Sequence, residues 1–132
     1  MNIKTLAKGL DTITMSVKNN AATDIAAGVC VQTVDGINAT IAINSTVYGL
    51  IRGITSAIIP AGKWGEIVVK GYVKGITTGT AVAGNHMIPM TGANGTLVDA
   101  AAAAASSVAA KFITVSITSP YTATTPLVYV NC

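Results

Sequence analysis

Apolar and polar residues alternate with a period of two through most of the patterned stretches of this chain, the spacing of strands that bury one face. From Ile37 to Asn44 the sequence INATIAIN sets Ile37, Ala39, Ile41 and Ile43 on one side and Asn38, Thr40, Ala42 and Asn44 on the other. The β-branched run GVCVQTV lies immediately before it. Asp35-Gly36 between the two supplies the positive φ angles of a type I′ turn, so a hairpin with a two-residue connection is predicted. From Ile67 to Lys74 the alternation points Ile67, Val69, Gly71 and Val73 inward and Val68, Lys70, Tyr72 and Lys74 outward, with Gly71 marking a bulge or a close backbone approach. Ile113, Val115 and Ile117 alternate with Thr114, Ser116 and Thr118, and Leu127–Val130 reads as an edge strand behind Pro126. His86 to Met90 and Thr96 to Val98 flank an Asn94-Gly95 turn, and Pro89 restricts the first of these runs to an edge.

Between these stretches the punctuation repeats. Ala26-Ala27-Gly28, Pro60-Ala61-Gly62 and Val82-Ala83-Gly84 each end a run of small residues and open the next segment. One segment departs from the strand pattern: Asp99 followed by alanines through Ala110 predicts a short helix over 100–110 with Asp99 as its N-cap. A low-complexity loop is the alternative. The pattern as a whole predicts an all-β protein with a single domain over residues 11–132, preceded by an N-terminal arm, residues 1–10.

Composition bears on what surrounds that domain. Only 10% of residues are charged, so Thr, Ser and Asn must cover the outer faces, a surface suited to being covered by partners. The net charge of +3 comes from scattered residues, Lys4, Lys8, Lys18, Arg52, Lys63, Lys70, Lys74 and Lys111, with no basic run. Nucleic acid is therefore not an expected partner. No run of about 18 apolar residues points to a membrane span, and the N-terminus lacks the apolar core of a secretory signal, which suggests synthesis in a cytoplasm. Cys30 sits in an apolar run and Cys132 is the last residue, a pattern that reads as a buried thiol and a tail residue, with a disulfide between the two as the alternative.

Candidate chemistry is sparse. One histidine and five acids would have to supply base and orienting acid for a hydrolase, and no G-x-S-x-G elbow occurs. Four-ligand zinc sites, calcium loops and phosphate-cradling glycine loops have no matching motif. The expectation is a protein that is not an enzyme and holds neither metal nor cofactor, with His86 an ordinary polar or interface residue. Trp64, in AGKWGE, is read either as a lid over one end of the domain or as an exposed aromatic anchor, since tryptophan is enriched in binding hot spots. Tyr48, Tyr72 and Tyr121 admit the same two readings. Ile3, Leu6 and Leu10 with Lys4 and Lys8 could form a small amphipathic arm that orders on a partner, or a tail packed along its own domain. The candidate protein-interface set is thus Ile3, Lys4, Leu6, Lys8, Trp64, Tyr72 and Tyr121.

NNAATDIAAGVCV from Asn19 to Val31, YGLIRGIT from Tyr48 to Thr55, AGKWGEIVVKGYVKG from Ala61 to Gly75 and GITTGTAVAGNHM from Gly75 to Met87 follow one another in an order that resembles small tailed-phage capsid decoration, or cement, proteins. That resemblance covers roughly Asn19 to Ile117 and implies a compact β-barrel, β-tulip or sandwich-like domain. It further implies a virion protein made in the host cytoplasm that binds the major capsid protein on the outside of the assembled shell, stabilises it, and forms homotrimers at local three-fold positions. Three alternatives stay open: a surface adhesin or fibre module that binds glycans, a tail-tube or head-completion protein forming larger rings, and a hydrolase built on His86.

Overall fold

The structure, a computed structural model, describes residues 12–33, 38–41, 51–77, 79–89, 95–99 and 112–132. Among these residues it is all-β: β1 Ile13–Asn19, β2 Cys30–Thr33, β3 Asn38–Ile41, β4 Ile51–Thr55, β5 Trp64–Lys74, β6 Met87–Pro89, β7 Leu97–Asp99, β8 Phe112–Ser116 and β9 Leu127–Asn131. The main sheet runs β1-β3-β2-β4-β5-β9-β8, and β1 pairs again with β5. The first five of these strands therefore close on themselves, with β1–β3 parallel and the other pairs antiparallel. β6 and β7 form a separate two-stranded ladder.

β5 ties the two parts together. Lys70 pairs with Ile13 of β1 and also with Asn131 of β9, so these strands lie along opposite edges of β5. β4 meets β5 at Ile67 and Val68, and β9 takes over that edge from Lys70 to Lys74. β9 in turn pairs with β8. The expected edge strand is thus an interior one, because β5 outruns β4 and leaves backbone groups that β9 satisfies.

The three Ala-Gly steps do open strands. Gly28, Gly62 and Gly84 have φ of 74°, 73° and 89°, the left-handed values a type II turn needs at its third residue. Lys63 N donates to Pro60 O at 3.0 Å and Asn85 N to Val82 O at 3.1 Å. β2, β5 and β6 begin two or three residues after these glycines.

Two cores lie on opposite faces of the sheet. The barrel interior holds Val17, Ile25, Val29, Val31, Ile59 and Ile67. Ile25 and Ile59 come from outside the strands and close that interior by an isolated antiparallel bridge. Asn19, fully buried, fastens the same region: its Nδ2 donates to Ile59 O at 2.8 Å and Thr23 O at 2.9 Å, and its Oδ1 accepts from Ala21 N at 2.9 Å. The larger core, on the other face, gathers Phe112, Val128, Val130, Val73, Val68, Met87 and Leu97 among others.

Several expected positions shift for one reason, the single-residue parity of a strand. Ile13 pairs with Lys70 but Thr14 with Val68, which leaves Val69 as an extra residue on β5. This bulge reverses inside and outside along the strand. Val68 is consequently buried in the larger core rather than turned outward, and Val69 is only partly buried, whereas Ile67, Gly71 and Val73 are buried as the alternation predicts. In β8 the buried residues are Phe112 and Thr114, and a second bulge between Thr114 and Ser116 leaves Val115 exposed; Ile113 lies opposite Tyr129 on the other face, whereas Ile117, beyond the bulge, packs against the larger core. Phe112, the largest buried side chain, sets that parity.

Both hairpins exist, with longer connections than two-residue turns give. Thr33 pairs with Ala39, whereas an Asp35-Gly36 turn places it opposite Asn38; the register is that of a three-residue connection. Pro89 pairs with Leu97, so the β6–β7 connection spans residues 90–96 and is not closed by Asn94-Gly95 alone. Asp99 ends β7, where its carboxylate accepts from Val82 N at 3.0 Å and from Asn85 Nδ2 at 3.2 Å. The predicted helix over 100–110 and the arm over 1–10 lie outside the described residues.

Candidate functional site

Beyond the bulge at Val69, the side of β5 that faces the barrel interior emerges from it. Lys70, Tyr72 and Lys74 stand there exposed, opposite in direction to buried Val73. Directly opposed residues on an antiparallel ladder share a face, so the registers define three rows across this surface. The first is Ile13, Lys70 and Asn131. The middle row runs Tyr72, Tyr129, Ile113 and His86. The third joins Lys74, Leu127 and Ser116.

Tyr72 and Tyr129 form the centre of that face, their rings 5.1 Å apart and inclined by 59°, a tilted contact of the kind aromatic pairs favour. Tyr72 is 50% exposed and Ile13 50%. Ile113, Leu127 and Tyr129 are half-buried. The charges on this face are Lys70 and Lys74. Among the described residues no carboxylate side chain joins them: Glu66 lies before the bulge on Val68's side of β5, Asp24 accepts from Ala61 N at 2.9 Å, and Asp99 stands opposite core residue Met87.

His86 ends the middle row. Its Nδ1 is buried without a hydrogen-bond partner, and so is Thr114 Oγ1 in the adjacent strand. Backbone bonds hold the two segments side by side, Gly84 N to Thr114 O at 2.7 Å and Thr114 N to Asn85 O at 2.9 Å. The row around His86 consists of Ile113 and Tyr129, which supply neither nucleophile nor orienting acid. No group of three or more His, Cys, Asp or Glu side chains among the described residues could hold a metal ion, and no helix there is long and apolar enough to cross a membrane.

Trp64 is 58% exposed and pairs with Lys18. It does not cap the barrel, a task that falls to Ile25 and Ile59. It shares Val68's side of β5, so the structure places it on the opposite sheet face from Tyr72. Tyr121 is half-buried in the turn between β8 and β9, where its N donates to Thr118 O at 2.9 Å. Ile3, Lys4, Leu6, Lys8 and Tyr48 lie outside the described residues. Sequence reasoning missed Tyr129, Ile113 and Lys70 as members of one surface; the available signal was that each strand puts a large apolar or basic residue on the side its own core does not need. Cys30 is buried and Cys132 exposed, as their positions suggest. A separate cleft of about 400 Å³ lies where the Ala27-Gly28 turn meets the end of β5, lined by Ser56, Val73, Ile76 and Thr125 among others.

No family model matches this sequence, and no curated protein does. By structure the chain is similar to the head fiber gp8.5 N base of bacteriophage phi29, with a TM-score of 0.59 over 91% of this chain and 94% of that one, at 12% identity. At that identity the likeness is one of fold.

Proposed function

We propose that this chain is a structural virion protein of a tailed phage that binds the outside of the assembled capsid and stabilises it, with no catalytic role. The observation that carries the reading is the likeness to a phage head fiber base along nearly the full length of both chains. The decoration-protein resemblance of the sequence points the same way, and so does a surface with few charges. The mechanism is mass action, since a protein that binds only the assembled shell lowers the free energy of that state. Manufacture in the host cytoplasm, the major capsid protein as partner and trimers at local three-fold positions complete the proposal.

The test is to add the purified protein to capsids of the encoding phage stripped of it. Saturable co-sedimentation and a raised temperature of genome release are expected. Absence of binding removes the capsid reading. A second reading, a fibre module that binds glycans, draws on the neighbour's description as a head fiber and on the paired tyrosines. Specific glycan-array binding without capsid binding would select it.

A further inference from the structure

We infer that the face carrying Tyr72 and Tyr129 is the surface by which this protein docks, and that its partner there is an acidic patch of protein on the capsid shell. This deepens the capsid reading and rests on it. Single exposed apolar side chains are ordinary on any protein surface. Here Ile13 and Tyr72, two of the large hydrophobic residues left exposed, lie on one sheet face, with half-buried Ile113, Leu127 and Tyr129 beside them. Two paired tyrosine rings occupy the centre, and rings with few rotatable bonds anchor interfaces at little entropic cost.

Charge selects the partner. Lys70 and Lys74 stand on either side of the tyrosine row, one strand step away in each direction, and the carboxylates among the described residues are turned to other surfaces or engaged elsewhere. A cationic rim around an apolar aromatic centre is complementary to carboxylates surrounding an apolar depression, the arrangement that raises association rates and fixes register. Tyrosine hydroxyls at the centre can donate to the same carboxylates.

The test compares Lys70→Glu/Lys74→Glu with a control of equal net charge, Lys18→Glu/Lys63→Glu, for binding to stripped capsids and, separately, to immobilised poly-glutamate. Circular dichroism and thermal unfolding check that both variants keep the wild-type fold. Tyr72→Ser is the third variant. On capsids the face variants are expected to weaken binding at least about tenfold, with the control within about twofold of wild type. Equal losses in the two charge variants, or none in either, overturn the proposed face while leaving the capsid reading intact. If wild type binds no capsid, the capsid reading fails. Poly-glutamate then decides the face alone: selective loss of retention in Lys70→Glu/Lys74→Glu supports it, and equal retention of both charge variants overturns it.

Discussion

Thr55 and Thr114 are both fully buried threonines in strands of one sheet, yet their surroundings differ in kind. Thr55 Oγ1 accepts from Val29 N at 3.0 Å and donates to Ala26 O at 2.6 Å, so one hydroxyl fastens the first Ala-Gly turn to β4. Thr114 Oγ1 has no partner. On the barrel side these buried polar groups of Asn19 and Thr55 tie down a loop. In the β8–β9 extension, apolar contact around Phe112 supplies the stability, and the parity that buries Phe112 sends Ile113 to the other face. The barrel is organised around its own interior; the extension is organised around the face it presents.

That contrast can be broken by substitution, read out by reversible denaturant unfolding. Phe112→Ala should have the largest effect, a loss of about 4 kcal/mol, because it empties the centre of the apolar core. A loss below about 1 kcal/mol would show that the extension is not held by packing. Asn19→Ala is expected to cost about 3 kcal/mol by removing three side-chain hydrogen bonds at a fully buried position, Ile59 O keeping its bond from Ile25 N; a neutral result would mean water replaces the side chain there. Thr55→Val should cost about 2 kcal/mol through loss of the bonds to Val29 N and Ala26 O. The sharpest comparison is the smallest: Thr114→Val should stabilise by about 1 kcal/mol, since it removes a hydroxyl that is buried without a partner and keeps the shape. The same substitution at two buried threonines is thus expected to change sign. If both destabilise equally, Thr114 has a hydrogen bond in solution and the contrast fails.

Much of the fold was legible in the sequence because turns announce themselves locally. An Ala-Gly step reads as a turn wherever it occurs, and three of them do precede strands. The β2–β3 hairpin was legible as a pairing. Its register was not, since one residue in the connection moves every partner. The face of β8 was legible only in part: Ile117 packs against the core, but the bulge between Thr114 and Ser116 separates it from Ile113, which lies on the other face while Phe112 fills the core. Where a strand carries apolar side chains on both faces, the pattern cannot say which face the core takes, and β8 is such a strand. The bulge on β5 had a signal in Gly71, but it falls two residues earlier, at Val69, and that position was not legible. The candidate surface inherits that difficulty, because its rows are assembled from residues 13, 72, 86, 113 and 129, which only the ladder brings together.

The length of β5 also governs the order in which this protein can fold. Its partners lie at residues 13–18, 54–55 and 127–131, so two of its three seams join segments far apart in sequence, the topology of slow folders. During synthesis β1 and β4 leave the ribosome before β5, and β9 leaves long after it. For that interval the edge from Val69 to Lys74 stands open, with the backbone groups that later receive β9 available to any extended chain. Production at high level therefore favours cool, slow expression, and a chain shortened before Leu127 is expected to accumulate as aggregate rather than as a smaller soluble barrel.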